Sequence, residues 1–88
     1  RDLALVVEEG VPMDTLLSHV KVAARGFLQN VTVFDIYRGS GVKKGFKSVA
    51  LALVLQDTSR TLTDDDVEST VSTVIERLKQ QAGAELRE

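Results

Sequence analysis

Apolar and polar positions alternate from the first residues of the chain. In RDLALVVEE, Leu3, Leu5 and Val7 fall on one side and Asp2, Ala4 and Val6 on the other, the period of a strand. Gly10 ends it, and Pro12 suits the first turn of a helix, where its missing N–H has no partner to lose. Leu16, Leu17, Val20, Ala24, Phe27 and Leu28 then recur at helical spacing, which predicts a helix over residues 12–27, with Gly26 weakening its last turn. NVTVFDIYR is rich in β-branched and aromatic residues and predicts a second strand. KSVALALVLQ predicts a third, in which the large Val49, Leu51, Leu53 and Leu55 alternate with Ser48, Ala50, Ala52 and Val54. A second helix follows in TLTDDDVESTVSTVIERLKQQAG. Thr63 is its N-cap with Asp66 three residues on, Val67, Val71, Val74, Ile75 and Leu78 form its buried stripe, and Gly83 stops it. AELRE reads as a short closing strand.

The order β-α-β-β-α-β predicts an α+β, ferredoxin-like sandwich: a four-stranded antiparallel sheet with two helices on one face. Residues 1–88 make one domain. Because the chain starts at Arg1, directly in an apolar alternation, it is expected to be a fragment of a larger chain. Two helices cover only one side of four strands, and Leu3, Leu5, Val7, Phe34, Ile36, Val49, Leu51, Leu53 and Leu55 are expected there. The open side is expected to carry Asp2, Ala4, Val6, Val33, Asp35, Tyr37, Ser48, Ala50, Ala52 and Val54. A face built only for water would carry Lys, Glu, Thr and Arg. This one is a floor of small residues with Tyr37 and Asp35 at its side, the kind of platform on which RNA modules stack unpaired bases. A second domain covering the face is the competing expectation.

Charge refines this picture. The formal net charge is −2, with 13 acids against 11 bases, so bulk charge announces no polyanion partner. The cations, however, cluster. YRGSGVKKGFKS holds Arg38, Lys43, Lys44 and Lys47 with three glycines and no acid. A phosphate loop needs G-x-x-x-x-G-K-[ST] between a strand and a helix; here Gly39 and Gly45 are one residue too far apart and Phe46 precedes Lys47. Period-two alternation follows, so no helix N-terminus is present to bind an anion. The stretch is therefore expected to be a hairpin connection whose glycines supply positive φ, and its cations either a solvated edge or a phosphate-facing tip.

Catalytic chemistry finds little support. There is no cysteine, His19 is expected on a helix surface, and no nucleophile has a plausible base partner. Asp64, Asp65 and Asp66 are consecutive on a helix and do not converge on a metal. The longest apolar run, VALALVL, has seven residues, so no membrane partner is expected.

RDLALVVEE, VTVFDIYRG, GFKSVALALVLQ and RTLTDDDVE together resemble the anticodon-binding domain at the C-terminus of the bacterial phenylalanyl-tRNA synthetase β subunit, in the same order and spacing over essentially the whole chain. The resemblance implies a ferredoxin-like fold whose open sheet face meets the anticodon stem-loop of phenylalanine tRNA. Carried over by position, it implies RNA contacts at Ala4, Asp35 and Tyr37. With the sheet-face and hairpin readings, the expected tRNA-binding set is Ala4, Asp35, Tyr37, Arg38, Lys43, Lys44, Lys47 and Ala50, with no catalytic or metal-binding residue. Phe46 stands where the family often has a charged or polar residue. The implied partners are the tRNA, the rest of the β subunit and its α subunit, in the cytoplasm. No cofactor is implied in this domain, since ATP and magnesium belong to other parts of the parent ligase. The alternative is a ferredoxin-like protein-interaction or small-ligand regulatory domain without RNA binding.

Overall fold

The computed structural model describes residues 1–57 and 59–87; Glu88, the last residue of the expected closing strand, lies outside them. The elements run β1 (Asp2–Glu8), α1 (Met13–Ala23), β2 (Leu28–Tyr37), β3 (Phe46–Leu55), α2 (Asp64–Ala82) and β4 (Glu85–Leu86). The sheet has the order β2-β3-β1-β4 with every neighbouring pair antiparallel, the ferredoxin-like arrangement. Its two inner strands supply Leu5, Val7, Val49, Leu51 and Leu53 to the core, against Leu16 and Val20 of α1 and Val74 and Leu78 of α2, all at most 1% exposed. Burial of each is worth about 1.5–3 kcal/mol, and together they hold both helices to one face.

Helix α2 is bounded as its sequence predicts. The Thr63 side chain accepts from the Asp66 N–H at 3.1 Å while the Asp66 carboxylate accepts from the Thr63 N–H at 2.9 Å, a reciprocal capping box. At the far end Gly83 takes φ 65°, a left-handed turn that a side chain would strain, and the Ala84 N–H donates to the Leu78 carbonyl at 3.2 Å. Helix α1 is shorter than expected. It ends at Ala23, because the N–H groups of both Phe27 and Leu28 turn back to the Ala24 carbonyl and Gly26 adopts φ 100°. The Phe27 carbonyl then accepts from Gln56 at 2.7 Å, so the sheet, not the helix, claims this residue.

Strand β2 corrects the expected faces. Val33 lies opposite Leu51 and Asp35 opposite Ala50, so two residues of β2 are spent on one of β3, and Phe34 is the extra one. The β-bulge exchanges the faces of the strand midway. Val31 and Val33 turn toward the helices and pack on the core, where Val33 had been expected in the open. Phe34, expected inside, is 57% exposed. Ile36 pairs with Val49 on the helix side, as expected, but at the bare hairpin end of an edge strand it too remains exposed. Asp35 and Tyr37 pair with Ala50 and Ser48 and stand on the open side.

Two outcomes test this account. Val33→Asp places a charge in the core and is expected to cost more than about 2 kcal/mol in urea unfolding, whereas Phe34→Asp stays within about 0.5 kcal/mol. The reverse order of costs would mean that the strand alternates without the bulge. The second concerns Asp66, whose carboxyl is held well below its ordinary value first by the hydrogen bond from Arg60 and then by the Thr63 N–H. A group depressed in the folded state stabilises above its unfolded pKa of about 3.9, and that stabilisation is lost as the pH falls from there toward the folded value. Asp66→Asn is expected to lower the melting temperature at neutral pH and to narrow the difference between neutral and acid solution. An unchanged difference would show that the cap does not sense pH.

Candidate nucleic-acid interface

On the side without helices, residues from all four strands line up in rungs. One rung runs Asp35, Ala50, Ala4, and continues to Arg87, whose N–H donates to the Ala4 carbonyl at 2.7 Å. The next runs Tyr37, Ser48, Val6, Glu85. Neighbouring rungs on a face are roughly 7 Å apart, so Asp35 and Tyr37 are adjacent side chains on the same edge strand. The floor between them and β1 is small, because Ala4, Ser48 and Ala50 are small. Phe46, opposite Glu8, extends the same face at the hairpin end.

Asp35 is exposed and, among the described residues, has neither an ion pair nor a side-chain hydrogen bond. Both its oxygens are available to an outside donor. Tyr37 is held at several points. Its hydroxyl donates to the Ser40 carbonyl at 3.0 Å, and a Cβ on Gly39 would stand 3.5 Å from that hydroxyl. Gly39 takes φ 132°, which brings the hairpin backbone back against the ring. The Arg87 guanidinium lies over the ring at 5.4 Å from its centroid. Ser48 is only 5% exposed although no helix lies above it, so the side chains of its own face are its cover.

The basic stretch does not act as one unit. Lys47 lies opposite Val7, on the helix side, and is 6% exposed. Its ammonium donates to the carbonyls of Glu9 at 3.2 Å and Val11 at 2.9 Å, in the loop before α1, where Pro12 offers no side-chain cap. This corrects the expectation that Lys47 faces a phosphate. Arg38 grips Glu9 with Nε at 2.8 Å from both oxygens and Nη2 at 2.6 Å from one. That hydrogen bonding holds the Glu9 carboxyl below its ordinary value, and the Arg38 charge is largely answered within the chain. Lys43 reaches over the Phe46 ring at 5.3 Å, and Lys44 is exposed. Of the four cations, these two remain outward-facing and without an acidic partner among the described residues.

Arg60, which precedes α2, pairs with Asp66 and Asp57 and lies over the Phe27 ring, so it braces the turn. His19 is half-buried at the seam of the helices, where its Nδ1 accepts from the Arg77 Nε at 3.1 Å, instead of lying free on a helix surface. Sequence reasoning missed Arg87 on the open face. The signal was available, since Ala84 and Leu86 share one parity of the closing strand and Glu85 and Arg87 the other.

A four-stranded antiparallel sheet with both helices on one face, small residues at the centre of the other and a tyrosine and an exposed acid at its edge defines a domain of the ferredoxin-like class. The chain belongs to the ferredoxin-fold anticodon binding domain family, whose model matches residues 1–87. Its relatives include the β subunits of phenylalanine–tRNA ligase from Dickeya dadantii, Yersinia pestis and Haemophilus influenzae, at 46%, 44% and 43% identity over 88 residues. The match takes in all of this chain and 11% of each relative. The resemblance read from the sequence is borne out.

The division among the lysines is open to measurement. Lys47→Met leaves two loop carbonyls without their donor and is expected to cost about 1–3 kcal/mol in urea unfolding. Replacing Lys43 and Lys44 together by Gln is expected to stay within about 0.5 kcal/mol. A neutral Lys47→Met would return this side chain to the surface.

Proposed function

We propose that the open sheet face binds the anticodon stem-loop of phenylalanine tRNA, as the tRNA-recognition domain of a phenylalanine–tRNA ligase. The observation that carries this is the unpaired carboxylate of Asp35 beside Tyr37, across a floor of Ala50 and Ala4. Phenylalanine codons require an anticodon that begins with guanine. The Watson–Crick edge of guanine presents two N–H donors side by side, and one carboxylate accepts both. Phosphates repel an acid on an RNA-facing surface, so an acid there makes sense as a reader of a base. Tyr37, held against the hairpin, supplies a stacking surface next to it, worth about 1–3 kcal/mol for one base. Lys43 and Lys44 add attraction to the backbone without reading sequence.

In this reading the domain works in the cytoplasm as part of an enzyme, together with the rest of a β subunit and its α subunit. Amino-acid activation, with its ATP and magnesium, takes place in other parts of that enzyme, and these residues hold no cofactor.

Asp35→Asn provides the test. Asn keeps the shape but offers one acceptor and one donor, so one hydrogen bond becomes a meeting of donors and the charge assistance disappears. The substitution is expected to remove about 1–3 kcal/mol of preference for a loop with guanine at the first anticodon position over one with adenine. Binding of the adenine loop changes little or tightens slightly, because less negative charge faces the phosphates. Titrating both loops into both proteins decides the matter. A guanine preference that survives intact removes Asp35 from the site, and absence of salt-sensitive binding to either loop favours a protein-interaction or regulatory role for the face.

A further inference from the structure

Arg87 comes onto the open face from the edge opposite Tyr37. Its N–H bond to the Ala4 carbonyl extends the β1–β4 ladder one position beyond the pair of Leu5 with Leu86, so its side chain shares the face of Ala4. Tyr37 lies at the other edge, with β1 and β3 between them. Three strand spacings amount to roughly 14 Å, a gap that an extended arginine and a tyrosine close only together. They close it because Ala4, Ser48 and Ala50 leave no side chain tall enough to obstruct them. The guanidinium arrives over the Tyr37 ring, and its Nη2 lies 3.6 Å from the place a Cβ on Gly41 would occupy. A side chain at Gly41, where φ is 86°, would strain the loop beside this seat.

Charge and position together distinguish this arginine. Arg25 also lacks a carboxylate partner among the described residues, but it lies in the turn after α1, and Arg77 donates to His19 at the seam of the helices. Arg1, Arg38 and Arg60 all have carboxylate partners. Among the described residues Arg87 has none. Its backbone stands at the opposite end of the rung that begins with Asp35, but its half-buried guanidinium lies over the Tyr37 ring, on the strand of Asp35, with no ion pair among the described residues. A guanidinium in that state keeps its donors for a planar oxyanion, and phosphate is the oxyanion that accompanies a stacked base.

We infer that Arg87 is an RNA-contacting residue of this face, stacked on Tyr37 and directed at the backbone phosphate beside the base that Tyr37 receives. The inference rests on the anticodon-loop reading given above. It resolves a difficulty in that reading, because Asp35 repels the phosphates of the base it recognises. A cation brought across the sheet to Tyr37, on the strand of Asp35, offsets that repulsion. The division of labour is then plain: the acid reads the base edge and the arginine holds the backbone.

The test compares the unmodified chain with Arg87→Gln and Arg87→Lys, titrated with guanine- and adenine-containing anticodon stem-loop RNAs over a series of potassium chloride concentrations. Arg87→Gln is expected to weaken both loops alike, by about tenfold at low salt, and to reduce the slope of log K against log salt by about 0.7–1, the share of one phosphate. Arg87→Lys keeps the slope but loses affinity severalfold, since an ammonium does not lie flat on the ring. A role confined to supporting the fold would lower affinity without moving the slope. Thermal unfolding of each variant identifies any loss that comes from the fold. Unchanged affinity and slope in Arg87→Gln overturn the inference and leave the anticodon reading standing. Failure of the unmodified chain to bind either loop overturns the anticodon reading and this inference with it.

Discussion

One extra residue in β2 decides what the open face is made of. Strict alternation would put Val31, Val33, Asp35 and Tyr37 on one side, where two valines need the core and the other two need water. The bulge at Phe34 separates these demands, sending Val33 to Leu51 and Asp35 to Ala50. Its cost is a large aromatic side chain left in solvent and a break in the ladder, both of which an edge strand tolerates better than an inner one. The exposure of Asp35 and Tyr37 on the open face depends on this shift. Without it all four would share one side, and either Asp35 and Tyr37 would lie under the helices or the valines would lie in water.

Electrostatics follow from the same economy. The chain is slightly acidic overall, and half of its six arginines are neutralised at home: Arg38 by Glu9, Arg60 by Asp66 and Asp57, Arg1 by Glu68. Around the open face, the outward-facing cations without a carboxylate partner among the described residues are Lys43 and Lys44 at the hairpin and Arg87, which reaches across the sheet. The field of such a small set reaches about one Debye length, near 8–10 Å. Under the proposed function, discrimination then has to come from base edges and stacking, because a net charge of −2 supplies no bulk attraction to a polyanion.

The elements with two unambiguous faces were legible in the sequence. In β1 and β3 large and small residues alternate because both strands are internal, and α2 carries its own start and stop in Thr63, Asp66 and Gly83. The face of β2 was not legible, because Val33, Phe34 and Ile36 are apolar at both parities and a bulge leaves no mark in composition. The end of α1 was hidden for a related reason: Phe27 fits the helical period, but the sheet takes its carbonyl. Lys47 was read by its neighbours in the chain when its parity, shared with Val49 and Leu51, already put it inside. Asp35, Tyr37, Ala4 and Ala50 were placed correctly on the open face, two of them for an incomplete reason, since the alternation that put Asp35 and Tyr37 there also put Val33 there.

The hairpin's role changes once its cations are sorted. Gly39 and Gly41 let the loop backbone approach Tyr37 and Arg87, and the Ser40 carbonyl takes the tyrosine hydroxyl. A tyrosine has few rotatable bonds, and here its ring is tethered at the tip and covered on one side. Ordering a side chain on binding costs about 0.5–1.5 kcal/mol, and a ring already fixed in place avoids much of that loss. Lysines on the same loop have no such tether and bring charge without geometry. The glycines therefore matter for their positive φ, 132° and 86°, which turns the backbone against the ring, since a Cβ at either would make only an ordinary contact. The stretch that looked like a phosphate cradle in the linear sequence is, in three dimensions, the support that holds an aromatic platform still.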